Sequence, residues 1–408
     1  MSYLAPAGTV MSLSEVALGY VRGLRRDEAR QRLTAHLRAR SGLARCWPVS
    51  SGRAAMTLIL RAMRAAAADP EKDEVLIPGY TCYSVPASIV RAGLRPRLCD
   101  VDPATMGMSP EALERADFSR VLAIVSANLY GLPNALPAIE RIARERGVFM
   151  LDDAAQALGA RIAGRAVGSF GDAGLYSFDK GKIICTIQGG AIVAGEGPLA
   201  EHIAREIGQL EPSPIAETLG NCIKLPIYAV CLRPSLYGVI RKLPFLGLGR
   251  TVYETRYPIS QLSAPQTGVA ADLCTRIDSL NEQRRRTAVQ LAASIGDLPG
   301  IALPAIAADA EPAYARFPFR VLDPEARDGV IHALDAAGIG ASASYPCALI
   351  DVPEVRALLR DPAAPTPGAR QLASQIVTLP THGYCPSDLG ERVRQTLIGR
   401  PVSARASL

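Results

Sequence analysis

Apolar positions along the chain switch between two patterns. Short, nearly unbroken apolar runs occur at 74–78 (EVLIP), 120–126 (RVLAIVS), 148–151 (VFML), 173–178 and 190–194. Between them lie stretches with helical spacing: Ala54 to Ala67, a segment from Tyr80-Thr81-Cys82-Tyr83-Ser84 toward Ala92-Gly93, and Leu136 to Arg146. Arg97 to Asp102 continues the alternation. Buried strands alternating with helices of about a dozen residues predict a mostly parallel sheet covered on both faces, a doubly wound α/β domain. Ser51 and Gly52 directly precede the Ala54 run, in a Trp47–Arg53 lead that opens that helix. Such a position suits an N-cap, and a helix start with free N–H groups can hold an anion. Taken alone, a plain cap without ligand is the better reading.

The flanking regions differ in texture. Residues 13 to 40 carry helical spacing with dense charge and predict surface helices. Residues 211 to 257 change character, with prolines at 212, 214, 226, 234 and 244 punctuating apolar runs. No run there approaches the roughly 20 apolar residues of a spanning helix. The segment 213–250 therefore reads as an apolar insert: a subdomain, a dimer contact, or an interfacial element touching lipid. Residues 263 to 296 predict one long helix leading to a smaller α+β domain. There, 315–321 and 375–379 predict strands, 327–337 and 387–397 predict helices, and 360–368, with three prolines, predicts a surface loop. The expected division is 1–262 for the large domain and 263–408 for the connecting helix and small domain.

Composition narrows the chemistry. The chain has 408 residues and a formal charge of +6, scattered in small basic spots, and only 5% of residues are aromatic. That pattern argues against nucleic acid as a partner. Nine cysteines without a Cys-x-x-Cys pair suggest reduced thiols, and four scattered histidines give a metal site no support. The amino-terminal segment lacks the basic start and apolar core of a secretion signal, so a cytoplasmic location is expected.

The candidate chemistry lies between Met150 and Ala194. One strand ends in Asp152-Asp153, the next in Ser177 followed by Lys180 and Lys182, and a third run leaves through Gly189-Gly190. Open α/β sheets bind ligands at the carboxyl ends of their strands. A carboxylate, a hydroxyl and a lysine gathered there are the groups needed to hold an aromatic cationic cofactor and bind it covalently, which suggests pyridoxal phosphate.

Six ordered motifs carry a resemblance: SGRAAMTLIL at 51–60, VLIPGYTCYSVPASIVRAGLRPRLCDVDP at 75–103, NLYGLP at 128–133, LDDAAQALGA at 151–160, GSFGDAGLYSF at 168–178 and QGGAIV at 188–193. Together with 262–288, they resemble the DegT/DnrJ/EryC1/StrS family, fold-type I pyridoxal phosphate enzymes that are mostly sugar aminotransferases. The resemblance implies that Asp153 pairs with the pyridine nitrogen, that Gln156 lies beside the ring, and that Ser177 with Gly52 and Arg53 holds the phosphate. It also implies that Lys182 forms the internal Schiff base, with Lys180 as the rival, and that the enzyme is a homodimer. Where family members carry an aromatic ring that stacks on the cofactor, this chain has Cys82 followed by Tyr83, so either side chain could cover it. Asn128 stands where histidine is frequent, and 259–261 lacks a commonly found asparagine. These departures are expected to lie mostly toward the substrate side.

The expected activity is transfer of an amino group from an amino acid, glutamate first, to a keto-sugar carried on a nucleotide. The insert at 213–250 raises a second possibility, a lipid-linked or otherwise hydrophobic carbonyl substrate at a membrane surface with peripheral membrane contact. A third is a regulatory homologue without turnover; retention of Asp153, Ser177 and Lys182 together argues against it.

Overall fold

In the computed structural model, residues 3–241 and 253–398 are described. Two helices, α1 (Leu13–Gly23) and α2 (Arg26–Ser41), precede β1 (Arg45–Val49) and α3 (Gly52–Ala66). The alternation continues with β2 (Glu74–Pro78), α4 (Ser84–Arg91), β3 (Arg95–Cys99), β4 (Val121–Ala127), α5 (Leu136–Arg146), β5 (Phe149–Asp153), β6 (Ala173–Ser177) and β7 (Gly190–Ala194). These strands form one sheet in the order β1-β7-β6-β5-β4-β2-β3. From β6 to β3 all neighbours are parallel, whereas β7 runs antiparallel to both β6 and β1. Every residue of β2, β4, β6 and β7 is buried, which is why those strands read as apolar runs rather than as alternating ones.

Strand β1 departs from the expected helix lead at Trp47–Arg53. Pro48 cannot donate to a ladder, and it is tolerated because β1 is an edge strand paired only with β7. The helix itself starts at Gly52, capped by the Ser51 hydroxyl, which accepts from the Ala54 N–H at 3.0 Å.

After α6 (Pro198–Gly208), the insert forms two helices, α7 (Ile215–Cys231) and α8 (Pro234–Ile240), bent by 113° to one another. The remainder of the insert, 242–250, lies outside the described residues. Pro226 sits inside α7 rather than ending it. A proline there strips the carbonyl four residues back of its donor, and the Tyr20 hydroxyl donates to that Cys222 carbonyl at 2.9 Å instead.

The single helix expected over 263–296 is two: α9 (Ala264–Cys274) and α10 (Ile277–Ile295). At the junction the Thr275 and Arg276 N–H groups bond three residues back, to Asp272 and Leu273, and Arg276 reaches Glu15 at 2.6 Å. With no glycine or proline at the break, the pattern of apolar positions could not reveal it. Beyond α10, the strands β8 (Ile301–Ala302), β9 (Phe317–Val321) and β10 (Ile376–Leu379) make a small antiparallel sheet. Its cluster takes Leu291 and Ile295 from α10, Leu334 from α11 (Pro324–Ala336) and Val393 from α13 (Leu389–Ile398). The loop expected at 360–368 ends early, because Pro367 opens α12 (Pro367–Gln375). The Asp100 carboxylate caps that helix, accepting from the Gly368 and Ala369 N–H groups at 3.0 and 2.9 Å.

Candidate active site

Four stretches meet at one end of the large sheet. Parallel strands β5 and β6 deliver their carboxyl ends there, with Leu175 level with Asp153. Antiparallel β7 begins at the same edge, Gly190 level with Ser177, and β1 ends there, Val49 level with Gly190. The turn after β1 therefore sets the start of α3 against the end of β6. A Cβ on Gly52 would come within 2.9 Å of the Ser177 Cβ and 3.0 Å of its Oγ, and one on Gly190 within 2.7 Å of the Gly52 nitrogen. Glycine at both positions brings the first N–H groups of α3 and the buried Ser177 hydroxyl into one small cradle suited to an anion. The Arg53 side chain leaves the cradle: its guanidinium lies 4.5 Å from the Tyr257 ring centroid and pairs with Glu254 at 3.2 Å.

Asp152 and Asp153 are adjacent but have separate work. Asp152 is fully buried and faces inward, accepting from the Gly168 N–H at 2.6 Å, the Phe170 N–H at 3.2 Å and the Asn128 amide at 2.8 Å. Burial outweighs these bonds and pushes its carboxyl up to about 7. Asp153 is held through Oδ1 by the Ala155 N–H at 2.9 Å, and Oδ2 has no hydrogen-bond partner among the described residues. Burial raises its carboxyl above the usual range, while the nearby Lys182 charge pulls it back.

That charge distinguishes the two lysines. Lys180 is exposed, whereas Lys182 is half-buried and close enough to act on Asp153. Gly181, at φ +76°, turns the chain between them. The amino-terminal segment pins the turn from behind: the Thr9 hydroxyl donates to the Lys182 and Ile183 carbonyls at 2.9 and 3.2 Å. The Tyr228 hydroxyl of α7 accepts from the Thr9 N–H at 3.0 Å. No motif in the sequence signals Thr9 or Tyr228.

Gln156 is fixed at both ends, its Oε1 accepting from the Tyr130 N–H and its Nε2 donating to the Tyr345 hydroxyl, each at 3.1 Å. Tyr345 also stacks on Tyr83, with ring centroids 6.4 Å apart, and the Tyr83 hydroxyl sits 3.2 Å from the Cys347 sulfur. Tyr83 is buried and Cys82 half-buried. Asn128 corrects an expectation. It is 1% exposed and faces the interior rather than the substrate, donating to Asp152 and to the Asp153 carbonyl, while its Oδ1 accepts from the Asn134 N–H at 2.9 Å.

Known proteins resemble this chain along most of its length. The profile described as the DegT/DnrJ/EryC1/StrS aminotransferase family matches residues 22–220 and 252–397. The chain belongs to that family. Members of the DegT/DnrJ/EryC1/StrS family are aminotransferases, and the transaminase class expected for this chain stands. The match is interrupted at 221–251, across the second half of α7 and all of α8. A dTDP-3-amino-3,4,6-trideoxy-alpha-D-glucose transaminase of Streptomyces venezuelae is 28% identical over 81% of this chain and 76% of its own length. An L-glutamine:2-deoxy-scyllo-inosose aminotransferase of Micromonospora echinospora is 34% identical over 44% of this chain and 45% of its own. The crystal structure of S. venezuelae DesV in complex with a ketimine intermediate superposes with a TM-score of 0.76 at 24% identity, covering 96% of this chain and 98% of that one. The fold is the fold-type I α/β transferase architecture.

Proposed function

We propose that this chain is a pyridoxal phosphate-dependent aminotransferase that moves an amino group from an amino-acid donor to a keto-sugar or keto-cyclitol, a nucleotide-linked keto-sugar being the first candidate. The supporting observation is the meeting of Lys182, Asp153 and the Gly52–Ser177 cradle at one strand-end site. The cofactor's groups fit those residues: a phosphate matches the N–H groups of α3 and the Ser177 hydroxyl, and the open Oδ2 of Asp153 matches a protonated ring nitrogen. Gln156, held from both sides, would lie beside the ring, and Tyr83 or Cys82 would cover it.

When bound, the cofactor supplies an electron-withdrawing ring that stabilises negative charge at the donor's α-carbon. The protein's own groups do the rest. Lys182 Nζ would hold the cofactor covalently and, as a free amine once the donor is bound, would move the donor's α-proton. Asp153, through its open Oδ2, would keep the ring nitrogen cationic by a charge-assisted hydrogen bond. Ser177 and the start of α3 would hold the phosphate. The donor is proposed as glutamate, with glutamine the second candidate because one relative's name specifies it. A homodimer belongs to the proposal, as fold-type I enzymes generally share their sites between two subunits.

Absorbance spectroscopy of the purified protein tests this. A visible band from lysine-bound cofactor, shifted by glutamate or glutamine and abolished in Lys182→Ala, is the expected result. A protein that takes up no added pyridoxal phosphate would overturn the reading.

A further inference from the structure

We propose that α7 and α8, together with the outer edge of α1, form a face that docks on an anionic lipid surface. Exposed large aliphatic side chains are concentrated here: of 14 among the described residues, ten lie between Leu13 and Leu24 or between Ile215 and Val239. On α7 they form a stripe at every fourth position, Ile215, Leu219, Ile223 and Ile227, with Ile215 79% and Ile223 63% exposed. Four-residue spacing keeps all four on one side over about 18 Å of helix. The opposite side, Asn221, Leu225 and Ala229, is buried against the protein. Leu236 and Val239 continue the exposed set on α8, and α1 lies beside α7 through the Tyr20–Cys222 bond, adding Val21 and Leu24.

The choice between lipid and a protein partner rests on side-chain type and charge. Protein interfaces favour aromatic residues at their centres. Here the aromatic residues turn inward: Tyr228 to Thr9, Tyr20 to Cys222, and Tyr237 stacked on Tyr3 with centroids 5.9 Å apart. The large hydrophobic side chains that face outward are all aliphatic. Exposed beside it are Lys224 and Arg233, neither with a carboxylate within 4 Å among the described residues, and the only acid of α7 and α8 is the half-buried Glu217. An aliphatic stripe flanked by free cations is the composition of a helix lying in the plane of an anionic bilayer. No single described helix is long and apolar enough to cross a membrane; α7 and α8 have the length and composition only together, and their 113° bend excludes one straight crossing while allowing the pair to lie on a surface.

Co-sedimentation tests this, using the full chain loaded with pyridoxal phosphate and vesicles of phosphatidylcholine alone or of two parts phosphatidylcholine to one part phosphatidylglycerol. The wild type should pellet with the anionic vesicles and release in high salt. Ile223→Glu should weaken that binding by about tenfold, as expected from withholding one isoleucine from an apolar phase. A second variant, K224E with R233E, should abolish the preference for anionic vesicles while leaving the aliphatic stripe intact. Absence of wild-type binding to either vesicle overturns the proposal. So does a wild-type dimer that becomes monomeric in Ile223→Glu by light scattering, because the stripe would then belong to a second copy.

Discussion

Gly52 and Ser177 lie so close that the missing Cβ of one would press within 3.0 Å of the hydroxyl oxygen of the other. They come from different elements 125 positions apart, and the antiparallel return of β7 brings them together. Gly52→Ala should fold, with an overpacking cost of about 1–3 kcal/mol, and should push Ser177 off its position. Loss of one charge-assisted bond to phosphate corresponds to about tenfold to a hundredfold weaker retention of pyridoxal phosphate. Ser177→Ala, which empties the cradle without crowding it, should show similar loss of cofactor with less loss of stability. Equilibrium dialysis beside urea unfolding separates the two effects; normal retention in both variants would remove the cradle from the site.

The two lysines make a sharper pair. Lys182→Ala should lower transamination by about 10²–10⁴-fold or more, the scale of removing a positioned proton carrier. Lys180→Ala, on an exposed side chain, should change it by less than about twofold. Single-turnover measurement with glutamate is the readout. The reverse ranking would reassign the carrier.

Much of this site was legible because its parts are local. The strand ends at Asp153 and Ser177 and the turn to Gly190 fall within one stretch, and fully buried parallel strands announce themselves as apolar runs. Other features depended on contacts between distant residues. Thr9 braces the lysine turn from 173 positions away, and Tyr345 holds Gln156 from 189. β1 was hidden by Pro48, which suits an edge strand that a central one would reject. The break between α9 and α10 is made by a tightened backbone turn and the Arg276–Glu15 pair, neither visible in helical spacing. Asn128 drew attention as a departure at a site position; its partner Asp152 explains it as part of the scaffold.

That partnership carries its own prediction. Asn128→Leu strips a donor from Asp152 and leaves both the carboxylate and the Asn134 N–H without it, costing about 1–3 kcal/mol. The cost should depend on pH. Asp152 already titrates near 7, so its stability contribution is fully present at low pH and is lost as pH rises through that value. The lost donor had favoured the ionised form, so the variant's carboxyl should move higher still. The gap between wild type and variant should therefore widen from about pH 5 to about pH 8.5. An equal gap at both would show that Asp152 is not the group affected.

His382 gives the opposite slope. Its imidazole is 1% exposed; Nδ1 accepts from the Tyr384 N–H at 3.3 Å, which leaves Nε2 to carry the proton donated to the Ala5 carbonyl at 2.9 Å. A second proton could enter only on Nδ1, breaking the bond to Tyr384, in a buried place near the Arg284 charge. Burial, helped by that cation, lowers its pKa from 6.5 to about 4. A depressed folded value means that stability is fully present above the unfolded pKa and is lost as pH falls toward the folded one. From these values, about 2 kcal/mol should disappear between about pH 7.5 and about pH 5. His382→Gln cannot take up that proton, so although it starts less stable at the higher pH, its own decline over the same interval should be smaller by about 2 kcal/mol. Urea unfolding of both proteins at the two pH values measures the difference directly, and because Asp152 and every other titrating group is common to both, their contributions cancel in the comparison. Parallel declines would mean that the ring takes up its proton equally in the folded and unfolded chain, so that burial does not depress it.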